Sequence, residues 1–240
     1  PAALKRTVVK EIEADAKAHG DDRRTLVQEE KKAVAEIKIV DEPVTVVVSL
    51  KGWVRALKGH EIAPDTLTFK QGDGLYGCFP CRSVDTLLIV GSNGRVYSVA
   101  ASGLPGGRGD GVPITTLIDL EAGTSIAHYH AGAADHTLLL ANTGGFGLLA
   151  KAGDMVGRNR GGKAFLTLET GQLVLPPVTL AAAHKQVACL ALDGRLLVFP
   201  LDELKLQSNG GKGLTLMDVD AKTPLVSVAT CGDALLVQGL

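Results

Sequence analysis

The sequence predicts an all-β fold of propeller-like, four-stranded blades, about four to five in number, preceded by an N-terminal helical segment. Three observations carry this. After residue 44, apolar runs are joined by tight turns ending in glycine: Lys51-Gly52, Asn93-Gly94, Gly144-Gly145 and Asp193-Gly194. The turn glycines recur at spacings of 42, 51 and 49 residues, a period that suits a unit of four short strands. No long helical pattern lies between the apolar runs, as a (β/α) barrel would require.

The first element is the helix. Leu4, Val8, Ile12 and Ala16 recur every four residues and would share one helix face. Gly20 stands at a plausible C′ position, and Asp21-Asp22-Arg23-Arg24 reads as a polar turn. Residues 25–38 suit a short helix or an extended linker. Strand signals begin at Val44, after Pro43, so residues 1–40 form a lead-in and residues 41–240 the β domain.

Ahead of the turn glycines stand Thr45–Val48, Leu87–Val90, Leu138–Ala141 and Val187–Leu190. These runs are apolar without alternation, as expected of strands covered on both faces. Asn-Gly and Asp-Gly predict type I′ hairpin turns, with φ > 0 at both central residues. Each hairpin is followed by a Gly-rich or basic bend: Lys58-Gly59-His60, Gly106-Gly107-Arg108-Gly109, Arg158 to Lys163, and Gly210 to Gly213. Ala234–Gln238 reads as the first strand of a further unit, so a truncated fifth blade is expected.

Composition narrows the function. Aromatics are 4% of 240 residues and hydrophobic residues 45%, so Val, Leu, Ile and Ala must fill the core. The 29 glycines are spread between apolar runs and mark turns. Residues 41–240 carry 16 Lys/Arg against 18 Asp/Glu, so nucleic-acid binding would have to come from local clusters of bases. Cysteines at 78, 81, 189 and 231 do not suggest a disulfide framework in a chain of this size. No apolar run approaches the ~18 residues of a membrane span. With no signal-peptide pattern and no initiating Met, the expectation is a cytoplasmic fragment of a longer protein, without a membrane partner.

Phosphate binding needs Lys, Arg and exposed backbone N–H groups, and Gly-rich bends bring the backbone close. The candidates are Lys51, Arg55 and Lys58 in the first unit and Arg158, Arg160 and Lys163 in the third, with Arg108 and Lys212 beside them. Arg55 is two residues past Trp53, so the two would share a strand face. The competing reading is a set of ordinary solvated charges. Cys78-Phe-Pro-Cys81 has metal or redox spacing but no second pair, which favours structural cysteines. His128-Tyr-His130 places two imidazoles on one face without a third ligand, so no metal is expected. Gly106–Gly111 lacks the Gly-Lys-Ser/Thr of a phosphate loop.

Several of these motifs resemble one family. Leu50-Lys-Gly-Trp-Val-Arg55 with Lys58-Gly59-His60 resembles the first blade of the C-terminal domain of topoisomerase IV A subunits. Val9-Lys-Glu-Ile-Glu-Ala-Asp-Ala16 with Gly20-Asp-Asp-Arg-Arg-Thr25 resembles the end of the breakage-reunion domain in such subunits, and Asp41-Glu-Pro-Val-Thr-Val46 the linker and first strand. The resemblance implies a β-pinwheel, in which neighbouring blades exchange strands and the rim binds and bends duplex DNA; Gly-rich bends offer neither a helix nor a ribbon to the major groove, so little sequence preference is expected. It implies a bacterial, nucleoid-associated enzyme with a B subunit and a second A subunit. That enzyme would decatenate and relax DNA with ATP and Mg bound elsewhere. The catalytic tyrosine of the family lies upstream, so Tyr76, Tyr97 and Tyr129 are not candidates, and this chain is non-catalytic alone and needs no cofactor.

The gyrase A subunit, which wraps DNA, is the first alternative. Its basic box, Gln-Arg-Arg-Gly-Gly-Lys-Gly, is replaced here by Ala56-Leu-Lys-Gly-His-Glu61, with degenerate versions at Arg158–Lys163 and Gln207–Gly213. The pattern favours topoisomerase IV. A protein-binding propeller without a DNA role is the second alternative, and the absence of Trp-Asp blade signatures counts against it.

Overall fold

The computed structural model describes residues 2–20, 40–107 and 109–237. The chain divides into two units, Pro1–Lys38 and Ile39–Leu240. In the first, α1 (Ala2–His19) carries the expected stripe of Leu4, Val8 and Ile12, all exposed. Gly20 N–H donates to the Ala16 carbonyl at 2.9 Å, which closes the last turn. The polar turn at 21–24 and the linker at 25–38 lie outside the described residues.

The second unit is a β-pinwheel, and its strand exchange becomes visible by following the chain. A hairpin of β1 (Pro43–Ser49) and β2 (Trp53–Lys58) is joined by β3 (Leu75–Arg82), which pairs with β1. The next hairpin is β4 (Thr86–Gly91) and β5 (Arg95–Ala100). Only then does β6 (Val112–Pro113) return to the first blade and pair with β2. The pattern repeats. β7 (Ile126–Gly132) pairs with β4, and a third hairpin follows from β8 (Thr137–Ala141) and β9 (Phe146–Lys151). β10 (Lys163–Ala164) reaches back to β5, and β11 (Val178–Thr179) pairs with β8. The fourth hairpin is β12 (Gln186–Ala191) and β13 (Leu196–Pro200). After it, β14 (Leu214–Thr215) reaches back to β9 and β15 (Leu225–Cys231) pairs with β12.

The blades therefore read β3-β1-β2-β6, β7-β4-β5-β10, β11-β8-β9-β14 and β15-β12-β13. β3, β7, β11 and β15 flank the hairpins on the opposite edge. The outer edge of each of the first three hairpins is covered by a two-residue strand that arrives after the next hairpin. Along β13 no such strand is present among the described residues, and Leu196, Leu197 and Val198 are exposed there. Residues 234–237 are irregular, so among the described residues the expected strand of a fifth unit does not form; residues 238–240 lie outside them. A strand needs a partner ladder, and among the described residues no strand pairs with this segment, although Leu235–Val237 lie against β12, β13 and β15.

The unalternating apolar runs are explained by packing between blades. On β4, Leu87 and Ile89 face the first core with Val46, Val48 and Tyr97. Leu88 and Val90 face the second core with Leu138, Leu140 and Phe165. On β8, Leu139 and Ala141 turn instead to the third core with Val187, Cys189 and Leu225. A strand sandwiched between two cores buries both of its faces.

The hairpin turns differ from the type I′ expectation. Gly52, Gly94, Gly145 and Gly194 all have φ between 77° and 86°, but among the described residues no non-glycine residue has positive φ. Each glycine N–H donates three residues back, to Ser49, Gly91, Asn142 and Ala191. These are loops in which only the last residue is left-handed, so Asn93 and Asp193 act through their side chains. Each Oδ1 accepts the N–H two residues on, at 3.1 Å.

Candidate nucleic-acid interface

The short exchanged strands fix the position of the basic bends. Residues 105–107 and 109–111 run along the outer edge of β2, with Ala56 N–H donating to the Pro105 carbonyl. Residues 157–162 run along β5, where Ser98 exchanges hydrogen bonds with the Gly157 backbone. Residues 207–213 run along β9, where Gln207 N–H donates to Leu149. Each bend ends in a glycine of positive φ, Gly111, Gly162 or Gly213, immediately before the exchanged strand. A Cβ at any of the three would run into a carbonyl of the outer hairpin strand: Val54, Val96 or Gly147. The three bends thus occupy equivalent places on the rims of three successive blades.

Strand exchange also moves the bends one blade back from their place in sequence. Arg158, Arg160 and Lys163 lie on the rim of the second blade, because Lys163 pairs with Val96 of β5. Lys212 lies on the third, beside β9. Lys58-Gly59-His60 is not an equivalent bend. It opens the segment that returns to β3, and His60 Nε2 donates to the Cys81 carbonyl at 2.8 Å.

The candidate residues are not alike. Arg158 is exposed, with no carboxylate within ion-pair distance among the described residues. Lys51 is exposed at the first hairpin turn. Lys58 is exposed at the far end of β2 and pairs with Glu42 at 3.3 Å. Arg160 donates to the carbonyls of Leu117 and Thr116 and lies 3.6 Å from Asp119, so it straps the second bend to the segment after β6. Lys163 Nζ donates to the Asp154 carbonyl at 2.9 Å. Lys212 Nζ lies 2.6 Å from Glu169 Oε1 and 4.0 Å from the Phe146 ring centroid. Arg108 lies outside the described residues.

Arg55 departs most from expectation. It is 6% exposed, donates to the carbonyls of Gly109 and Thr68, and stacks 5.7 Å from the Phe69 ring centroid. It does share a face with Trp53, but the segment before β3 folds over that face, and Lys70 Nζ sits 3.3 Å from the Trp53 ring centroid. A buried guanidinium bound to two carbonyls holds the first bend rather than a phosphate. Arg95 has the same task on the second bend, donating to Gly161 and Gly162. Sequence reasoning missed both Arg95 and Lys70. Arg95 stands directly after a turn glycine, which was the signal available.

The other motifs take structural places. Cys78 lies half-buried and Cys81 buried on β3, both as free thiols, and burial raises the Cys81 thiol to about 11. His128 Nε2 donates to the Val174 carbonyl at 3.1 Å, so its Nδ1 accepts from the Tyr76 hydroxyl at 3.3 Å. That chain links β3 to β7 of the neighbouring blade and on to the segment before β11. Among the described residues no group of three or more His, Cys, Asp or Glu is placed to hold a metal ion.

Known proteins share this geometry. The family model for the DNA gyrase C-terminal domain, a beta-propeller, matches residues 85–123 and 189–231. The A subunit of DNA topoisomerase 4 from Neisseria gonorrhoeae is 37% identical over 240 residues, covering 95% of this chain and 30% of that protein. The Escherichia coli K12 subunit is 38% identical over 213 residues, covering 88% of this chain and 28% of that protein. The solved E. coli ParC C-terminal domain superposes with a TM-score of 0.74 at 34% identity, covering 80% of each chain. The chain belongs to the family of C-terminal domains of topoisomerase IV A subunits. It spans under a third of the length of the full-length relatives it matches. The gyrase A C-terminal domain, at a TM-score of 0.57 and 19% identity, shares the fold.

Proposed function

We propose that this chain binds duplex DNA along its rim and bends it, as a non-catalytic domain of a topoisomerase IV A subunit. The observation that carries the reading is the repetition of one glycine-rich bend on three consecutive blade rims. Each bend carries Lys or Arg, and each is held open by a glycine that tolerates no side chain. Phosphate oxygens would meet the exposed Arg158 and Lys51 directly, with Lys163 and Lys212 alongside. The bends offer neither a helix nor a ribbon to the major groove, so binding is backbone-directed and insensitive to sequence. Blades fanned about one hub present successive phosphates at an angle, and a duplex that follows them must curve. Bending a 20–30 base-pair site costs on the order of 1–6 kcal/mol, offset by the added contacts.

In the complete enzyme the domain would steer a duplex toward ATP-dependent strand passage, beside a B subunit and a second A subunit. ATP and Mg would be held by other parts of the enzyme, and this chain would need no cofactor. The setting would be the bacterial cytoplasm, on the nucleoid. The test is a duplex-binding titration across a salt series with the 240-residue chain. Affinity should fall steeply with salt and differ by less than about tenfold between unrelated duplexes. Affinity that ignored salt, or a strong preference for one duplex, would overturn the reading. A protein-binding propeller predicts no duplex binding at all.

A further inference from the structure

We propose that Glu169 and Asp119 are built-in competitors of the DNA phosphates. They neutralise the rim cations Lys212 and Arg160 in the free chain and set its duplex affinity below what its cations would otherwise give. The inference rests on the DNA-binding reading above and adds a control on it.

The Glu169 carboxylate is held from both sides. Oε1 takes Lys212 Nζ at 2.6 Å, and Oε2 accepts from Gln172 Nε2 at 3.4 Å. Glu169 N–H in turn donates to Gln172 Oε1 at 3.0 Å, and Gln172 N–H to the Glu169 carbonyl at 3.0 Å. The acid therefore sits in a closed turn, 43 residues from its lysine in sequence, and is aimed at the third bend. Phe146 supports the lysine from beneath. On the second bend Asp119 plays the same part. Its Oδ1 is 3.6 Å from Arg160 Nε, and its own N–H donates to the Arg160 carbonyl at 2.9 Å. Both pairs are solvent-exposed, with side-chain exposures of 44% and 59% for Lys212 and Glu169. Exposed pairs are weak enough to be broken by a phosphate. A cation already paired releases little counterion on meeting DNA, and the displaced carboxylate then lies beside a phosphate of the same sign. Arg158, on the same bend as Arg160, lacks such a partner among the described residues and would carry its full share.

Glu169 is thus a positioning residue that acts through Lys212. Glu169→Gln keeps the Gln172 turn and removes the charge. It should tighten duplex binding roughly fivefold at low salt and steepen the slope of log K against log salt by up to about 0.9. Asp119→Asn should act in the same direction. In a Lys212→Gln background, Glu169→Gln should change affinity by less than about twofold. Glu203→Gln serves as control, since Glu203 is exposed in the fourth blade with no ion-pair partner among the described residues. If wild type binds and Glu169→Gln and Asp119→Asn match Glu203→Gln, the proposal fails and the DNA reading stands. An equal gain from Glu169→Gln with and without Lys212 would make Glu169 a general charge only and would also overturn it. If wild type shows no duplex binding at about 50 mM salt, the reading and the proposal fall together. Thermal melting of each variant checks that the fold is retained.

Discussion

Arg158 and Arg160, two residues apart on one bend, behave as different kinds of residue. Arg158 reaches solvent, whereas Arg160 closes two carbonyls of the turn after β6. Arg158→Ala should leave stability within about 0.5 kcal/mol and flatten the salt slope of duplex binding by about 0.9. Arg160→Ala should lose about 1–2 kcal/mol of stability by freeing carbonyls that then depend on water. Salt-series titrations with parallel melting curves separate the two, and equal behaviour would refute the division. Arg55 marks the extreme. With 6% exposure and two carbonyl partners, Arg55→Met should cost about 2–4 kcal/mol. Chemical denaturation reads this directly, and a change under about 0.5 kcal/mol would return Arg55 to the surface set. Its role was hidden in the sequence because burial comes from Phe69 and Thr68, which fold back over β2 from a segment with no periodic pattern. From the residues alone, Arg55 beside Trp53 looks like a strand-face cation, and only the returning chain turns it inward.

Elements divide by how much of their partner lies nearby in sequence. The four hairpins were legible because each glycine, its strands and the hydrogen bond that closes the turn fall close together along the chain. The turn type was misjudged, since Asn-Gly and Asp-Gly also serve loops in which the Asn or Asp side chain supports a left-handed glycine alone. β6, β10 and β14 are two residues long and could show no periodicity. Their partners lie one hairpin upstream, so the resemblance implied the exchange while the residues, read in chain order, put Arg158, Arg160 and Lys163 in the third unit, one blade too late. β7 carries a second hidden feature, the buried His130. Burial first, and then the nearby His136, lowers its pKa to about 4, and its Nε2 has no hydrogen-bond partner among the described residues. The ring centroids of the two histidines are 6.4 Å apart. The folded pKa lies below the unfolded value of about 6.5, so the unfolded chain binds more protons between these values. The contribution of His130 to stability is complete above about pH 6.5 and is lost as pH falls toward 4. The loss should be on the order of 3 kcal/mol by about pH 4. Denaturation midpoints from about pH 7.5 to 4 in wild type and His130→Leu test this, the substitution flattening the acid limb. Parallel curves would place the acid sensitivity elsewhere.

At the scale of the whole β body, strand exchange makes each blade depend on the next. The first blade is complete only when β6 arrives after the second hairpin, the second only when β10 arrives after the third, and the third only when β14 arrives after the fourth. The three cores are likewise shared between neighbours, with β4 and β8 each contributing to two of them. A stack of self-contained repeats would unfold by nearest-neighbour terms and could lose one end while keeping the other. Exchange instead removes the outer strand of one blade whenever its successor opens, and this couples distant blades. The chain has one tryptophan, Trp53, on the first blade, so its fluorescence reports that blade while far-UV circular dichroism reports all of them. The two signals should give coincident urea midpoints. A core cut in the fourth blade should then be felt in the first. Leu225 on β15 is fully buried in the third core, and Leu225→Ala should cost about 2–5 kcal/mol. That substitution should lower the Trp53 midpoint together with the circular-dichroism midpoint. If Trp53 fluorescence kept its wild-type midpoint while circular dichroism lost amplitude early, the blades would be independent and the exchanged strands would not transmit stability along the rim.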